Sequence, residues 1–137
     1  MGDTEKRLRS LIDRANRQDV DGLQDYLAEN LVFINPVTGR TNKDGMRAFH
    51  AALFGAFPDT HYHIDHLLVV GNSVVVECTV TGTQKGDFAG VAASNRRLEL
   101  PVAFSIEFSG DLVEEWRTYL DTGSLIRQLT AEPASAV

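Results

Sequence analysis

The chain has 137 residues, 43% of them hydrophobic and 23% charged, and carries a net charge of −6. That is enough apolar material for one continuous core without staples, and a single cysteine, Cys78, excludes a disulfide framework. No stretch approaches the roughly 20 apolar residues of a membrane span. An acidic chain without a basic stripe repels phosphate backbones, so neither nucleic acid nor membrane is an expected partner.

Residues 1–5 run straight into an amphipathic pattern without a basic-then-apolar leader, and a soluble, cytoplasmic protein is expected. Leu8, Leu11, Ile12 and Ala15 recur at helical spacing, which predicts a surface helix over 5–17. Asp19 is placed to cap a second, short helix carrying Val20, Leu23, Tyr26 and Leu27. The period then changes: 30–37 is β-branched and aromatic, and Pro36 ends it or confines it to an edge. A turn over 38–42 leads to Thr41 and Asp44, which read as an acidic capping box opening a third helix. On it Met46, Phe49, His50, Leu53 and Phe57 share a face, and Pro58-Asp59 stops it.

From His61 the chain reads as strands. Tyr62, Ile64, His66 and Leu68 alternate on one face, Gly71-Asn72 turns the chain, and Val74, Val76, Cys78 and Val80 continue the apolar face. A turn-rich segment from Thr83 to Arg97, long enough to be a lid, an interface arm or a surface loop, precedes the clearest strand. That strand alternates through Leu98, Leu100, Val102, Phe104, Ile106 and Phe108. A last strand over 112–120 leads into a closing helix with Leu125, Ile126 and Leu129, and 131–137 reads as a flexible tail. Helices first and strands afterwards predict one α+β domain over 1–130, helices packed on one side of an antiparallel sheet.

This order of elements resembles the nuclear transport factor 2-like fold, and within it the SnoaL-like group that includes polyketide cyclases. The residues that carry the resemblance are Phe57-Pro58-Asp59, the run from Val80 to Gly90, and the end segment with Val113-Glu114-Glu115-Trp116, Asp121 and Leu125-Ile126-Arg127-Gln128-Leu129. The resemblance implies a strongly curved sheet wrapped around a helix to make a cone with a pocket at its mouth. It also implies a cofactor-free cyclase or isomerase acting on a hydrophobic, oxygenated small molecule, and a homodimer formed through the outer sheet face. A non-catalytic binder of the same fold is the alternative, because folds of this kind host many functions.

By the same resemblance Asp121 is the candidate acid/base, a role that needs an apolar wall to raise its pKa. The residues allow a second reading, in which Asp121 or Ser124 caps the final helix. Trp116 and Asp121 are five apart, so on a regular strand they face opposite ways. The family pattern spaces them by four, and a bulge between Arg117 and Leu120 would bring both inward.

His50 and Tyr119 are its candidate partners, orienting a carboxylate or donating to a substrate oxygen. Phe33, Asn35, Phe57, His66, Phe104 and Trp116 are the expected ligand-binding residues. His61, His63 and Asp65 alternate on one strand, a pattern that suits either a metal or a solvated face; no metal or other cofactor is assigned. Two other branches of the fold lack their catalytic sets here. Asn35 stands where steroid isomerases carry a basic aspartate, and the strand over 74–81 offers Glu77 as its sole charge where epoxide hydrolases need arginine and aspartate. An epoxide-opening reading would require an arginine such as Arg97 to reach the pocket.

Overall fold

A computed structural model describes residues 2–130. Four helices, α1 (Asp3–Asn16), α2 (Val20–Gln24), α3 (Lys43–Ala56) and α4 (Thr122–Thr130), surround one face of a curved, open sheet. Its strands are β1 (Leu27–Asn35), β2 (Gly39–Thr41), β3 (His61–Val70), β4 (Ser73–Thr83), β5 (Arg97–Ser109) and β6 (Leu112–Leu120). They lie in the order β2-β1-β6-β5-β4-β3, and every neighbouring pair is antiparallel except β1–β6. The parallel pair seats the chain's first long strand beside its last, so residues 83 to 86 positions apart, such as Phe33 and Trp116, meet.

Local rules account for most elements. Leu8, Leu11, Ile12 and Ala15 are the buried face of α1, and Asp19 Oδ1 caps α2 by accepting from Gly22 N at 2.8 Å. The second helix is shorter than its apolar pattern suggests: Leu27 already belongs to β1, where it pairs with Val113. The cap of α3 is Asn42, not Thr41, with its Oδ1 accepting from Gly45 N at 3.0 Å. Thr41 instead ends β2 and packs so closely on Gly45 that a Cβ there would sit 2.0 Å from its Oγ1.

Two side-chain amides tie helices to strand backbones. Asn16 accepts from Tyr62 N at 2.7 Å and donates to Tyr62 O at 3.0 Å, fastening α1 to the edge strand β3. Gln128 does the same to Glu99, at 2.8 and 2.9 Å, fastening α4 to the start of β5. Every second residue of β5 from Leu98 to Phe108 is buried, as its alternation requires.

Bulges in β3 and β6 shift the pattern elsewhere. In β3 the register slips between Ile64 and His66, so Tyr62, Ile64 and Leu67 face the core and His66 turns outward. In β6 the slip beside Glu114 lets Val113 and Trp116, three apart, both point inward. The segment over 84–96 is not a loose excursion. Gln84 is wholly buried at its root, its Nε2 donating to Val91 O at 3.0 Å while its Oε1 accepts from Ser94 Oγ at 2.7 Å. The expected tail over 131–137 lies outside the described residues. Among the described residues, no helix is long and apolar enough to cross a membrane.

Candidate functional site

A cavity lies between α3 and the inward face of the sheet. Phe49, His50 and Leu53 line it from α3; Phe33 and Asn35 from β1; Leu98, Leu100, Val102 and Phe104 from β5; Trp116, Thr118 and Leu120 from β6. Val37, Tyr62, Val80, Phe88 and Leu125 complete the wall. The inner chamber holds about 50 Å³ of open space. A wider recess of about 290 Å³ lies against Pro36, Ala89, Thr122 and Ile126, and shares Val37 and Leu125 with the chamber. The turn carrying Phe88 and Ala89 therefore stands between inner chamber and recess. It is a tight turn, with reciprocal bonds between Phe88 and Val91 at 2.9 and 2.8 Å, and Ala89 at its tip has φ +51°.

No Asp, Glu, Lys or Arg lines the chamber. His50 is 4% exposed and sits among the rings of Phe33, Phe49, Phe54 and Trp116, with centroids 5.3–6.2 Å away. Burial pushes its pKa down to about 4, so it is neutral at pH 7. Its Nδ1 is 3.1 Å from Met46 O, which assigns the proton to Nδ1 and leaves Nε2 with a free lone pair. Asn35 is buried, and its Oδ1 accepts from Val37 N at 2.8 Å. The Tyr62 hydroxyl is buried and held protonated by desolvation. Cys78 lies on the inward face of β4 with its thiol pushed up to about 12 by burial, an inert group.

The structure brings together Phe33, Asn35, His50, Phe104 and Trp116 of the expected site. It does not bring in Asp121. β6 is regular from Trp116 to Leu120, each residue paired with one on β5, so no bulge turns Asp121 inward. Its side chain is 68% exposed, and its Oδ1 accepts from Ser124 N at 3.1 Å as the cap of α4. Arg127 approaches it at 3.9 Å on the outside. Tyr119, on the same outward parity, is 56% exposed.

His66 is carried outward by the β3 bulge, and Phe57 is buried behind the wall, its ring edge-on to Phe88 at 5.5 Å. Asp59 fastens that corner by accepting from Thr83 N and Oγ1 at 2.7 and 2.9 Å, bonds that hold its carboxyl below the usual range. His63 and Asp65 lie on the solvent side, and no cluster of three metal-ligating side chains occurs among the described residues. Arg97 is exposed at the start of β5 and does not line the chamber.

Thr118 is a polar wall residue that was not among the expected site residues, although it shares the parity of Trp116. Phe49 and Phe88 were legible as apolar residues but not as neighbours, since their contact at 6.1 Å joins α3 to the 84–96 segment.

The model of the SnoaL-like polyketide cyclase family matches residues 5–129, nearly the whole described chain. The chain belongs to that family. Among solved structures, this SnoaL-like protein is similar to a protein of Jannaschia Sp. CCS1 described as a candidate SnoaL-like polyketide cyclase, at 24% identity and TM-score 0.84, over 95% of this chain and 93% of that one. It is also similar to TsrD from Streptomyces laurentii, at 26% identity and TM-score 0.82, over 93% and 95% of the two chains. A third likeness is to IdmH from Streptomyces antibioticus, described as a candidate polyketide cyclase, at 20% identity and TM-score 0.81, over 93% and 99%. No curated protein matches the chain. SnoaL-like membership accounts for the cone and its cavity, and it places the fold among those of cyclase and isomerase type.

Proposed function

We propose that this SnoaL-like protein binds a hydrophobic, oxygenated small molecule of polyketide type in the cavity between α3 and the sheet. The observation that supports this best is the wall itself: apolar, free of ionised side chains and punctuated by Asn35, His50 and Thr118. A recess outside the chamber offers room for a molecule longer than the chamber holds. The same proposal includes a homodimer and assigns no cofactor; both rest on the family resemblance. Trp116 is the sole tryptophan, so its fluorescence reports occupancy of the chamber. Titration with a neutral bicyclic ketone should quench it saturably, and Leu100→Phe, which fills the chamber, should abolish the response while the far-ultraviolet circular dichroism is unchanged. An identical response in Leu100→Phe would refute binding at this site.

A second reading, catalysis by proton transfer beside a carbonyl, is favoured by His50 alone. Its Nε2 would take the proton from carbon and return it to another carbon or oxygen, with Asn35 or Thr118 holding the enolate oxygen. The low pKa weighs against it: each unit of basicity lost removes about 1.4 kcal/mol of driving force, and His50 falls from 6.5 to about 4. Deuterium uptake from heavy water into a bound 1,3-diketone discriminates the readings. Catalysis requires uptake that His50→Gln removes; binding alone leaves the uptake at the rate without protein.

A further inference from the structure

Three buried side-chain atoms among the described residues have no hydrogen-bond partner: Trp116 Nε1, Thr118 Oγ1 and Arg117 Nε. The arginine atom belongs to the outward parity of β6, where its guanidinium pairs with Glu115 at 3.3 Å. The other two belong to residues that line the chamber and are only 2% and 4% exposed. Two apart on one strand, Trp116 and Thr118 rise from the same face about 7 Å apart. β1 runs parallel beside them, pairing Phe33 with Trp116 and Ile34 with Arg117. The next step along both strands brings Asn35 beside Thr118. Oδ1 already accepts from Val37 N, and the two amide hydrogens of Asn35 can serve as donors.

A buried N–H or hydroxyl without a partner is costly, and an apolar side chain of similar shape would be cheaper at either position. We infer that Trp116 Nε1 and Thr118 Oγ1 form the seat for a ketone or enol oxygen of an uncharged ligand, with Asn35 as a flanking donor. This rests on the binding role proposed above and adds what selects the ligand. The indole N–H only donates and the hydroxyl can donate, so the complementary atom is an acceptor; a carbonyl oxygen has two lone pairs for them. A carboxylate is excluded from the chamber because no cation lines it to offset lost hydration. A plain hydrocarbon fits the apolar wall but leaves both atoms unpaired, so the seat prefers a ketone over its hydrocarbon analogue by about tenfold or more.

The lone tryptophan makes the test direct, because its indole N–H gives one cross-peak in a proton–nitrogen correlation spectrum. The probes are 1-tetralone and tetralin, which share a bicyclic skeleton and differ at one carbonyl. The expected result is a downfield move and slowed exchange of the indole proton with 1-tetralone, none with tetralin, and at least tenfold tighter binding of the ketone. Thr118→Val should erase most of that preference while tetralin still binds. If both probes bind equally and the indole proton does not move, the oxygen seat is wrong and the binding role stands. An indole proton already downfield in the free protein, and unmoved by the ketone, also overturns the seat. If neither probe binds, the binding role falls and the seat with it. Should Thr118→Val fail to fold, the comparison of probes on the unaltered protein still decides.

Discussion

His50 Nδ1 donates to the Met46 carbonyl at 3.1 Å, one helical turn back on α3, and this bond determines how the imidazole meets the cavity. The ring is locked to its own helix on one edge, so the opposite nitrogen is the one left for the chamber. Around it stand aromatic rings and no acidic side chain. A histidine in this setting stays neutral in the folded protein and becomes charged readily only when the chain unfolds.

That difference predicts a pH dependence. His50 titrates at about 4 when folded against 6.5 for the free side chain, so the unfolded state holds more protons between those values. Stability therefore rises with pH through this window, is fully present above about pH 6.5, and falls by about 3 kcal/mol by pH 4. Asp59, with a depressed pKa, adds its own loss only below the ordinary carboxylate range. Urea midpoints at pH 7, 5.5 and 4.5 should decline in the unaltered protein and stay nearly level in His50→Gln. Equal declines in both would remove His50 as the cause.

Asp121 is expected to matter to the final helix rather than to the ligand. Asparagine caps as well as aspartate, so Asp121→Asn should leave stability within about 0.5 kcal/mol, whereas Asp121→Ala should cost about 1 kcal/mol. The contact with Arg127 is long and exposed and adds little. Ligand affinity should not change in either variant. Denaturation curves together with ligand titrations check this, and a loss of binding or turnover in Asp121→Asn would return the carboxylate to the site.

Thr118→Val should stabilise the ligand-free protein by about 1 kcal/mol, because it removes an unpaired buried hydroxyl and keeps the branched shape. Thermal unfolding without ligand measures it. A lower melting temperature would show that the hydroxyl has a partner in solution.

Gln84→Leu should loosen the segment over 85–95. It removes the bonds of the Gln84 amide to the Val91 carbonyl and the Ser94 hydroxyl, leaving these groups only their bonds from Phe88 N and Arg96 N, at the root of the turn that carries Phe88 into the chamber wall. The expected cost is about 2 kcal/mol, with amide hydrogen exchange accelerated in this segment more than in β5. Uniform acceleration across the sheet would mean that Gln84 supports the core as a whole and not the turn.

Much of the fold was legible in the residues themselves, because burial imposes a period of 3.6 on helices and of 2 on strands. The apolar faces of α1 and β5 and the cap at Asp19 follow from spacing and residue type alone. The inward places of His50 and Phe104 followed in the same way, while Phe33, Asn35 and Trp116 were expected at the site from the family resemblance. What tertiary structure alone decided is where that period breaks. One extra residue near Asp65 sends His66 outward, one at Glu114 brings Val113 and Trp116 to the same side, and the absence of one after Trp116 keeps Asp121 outside. A bulge is set by how two strands pair, not by either strand's own pattern, so it leaves no trace in a single strand's alternation. The unpaired atoms of Trp116 and Thr118 are of the same kind: lacking a partner is a property of everything that surrounds an atom, and only the assembled cavity has it.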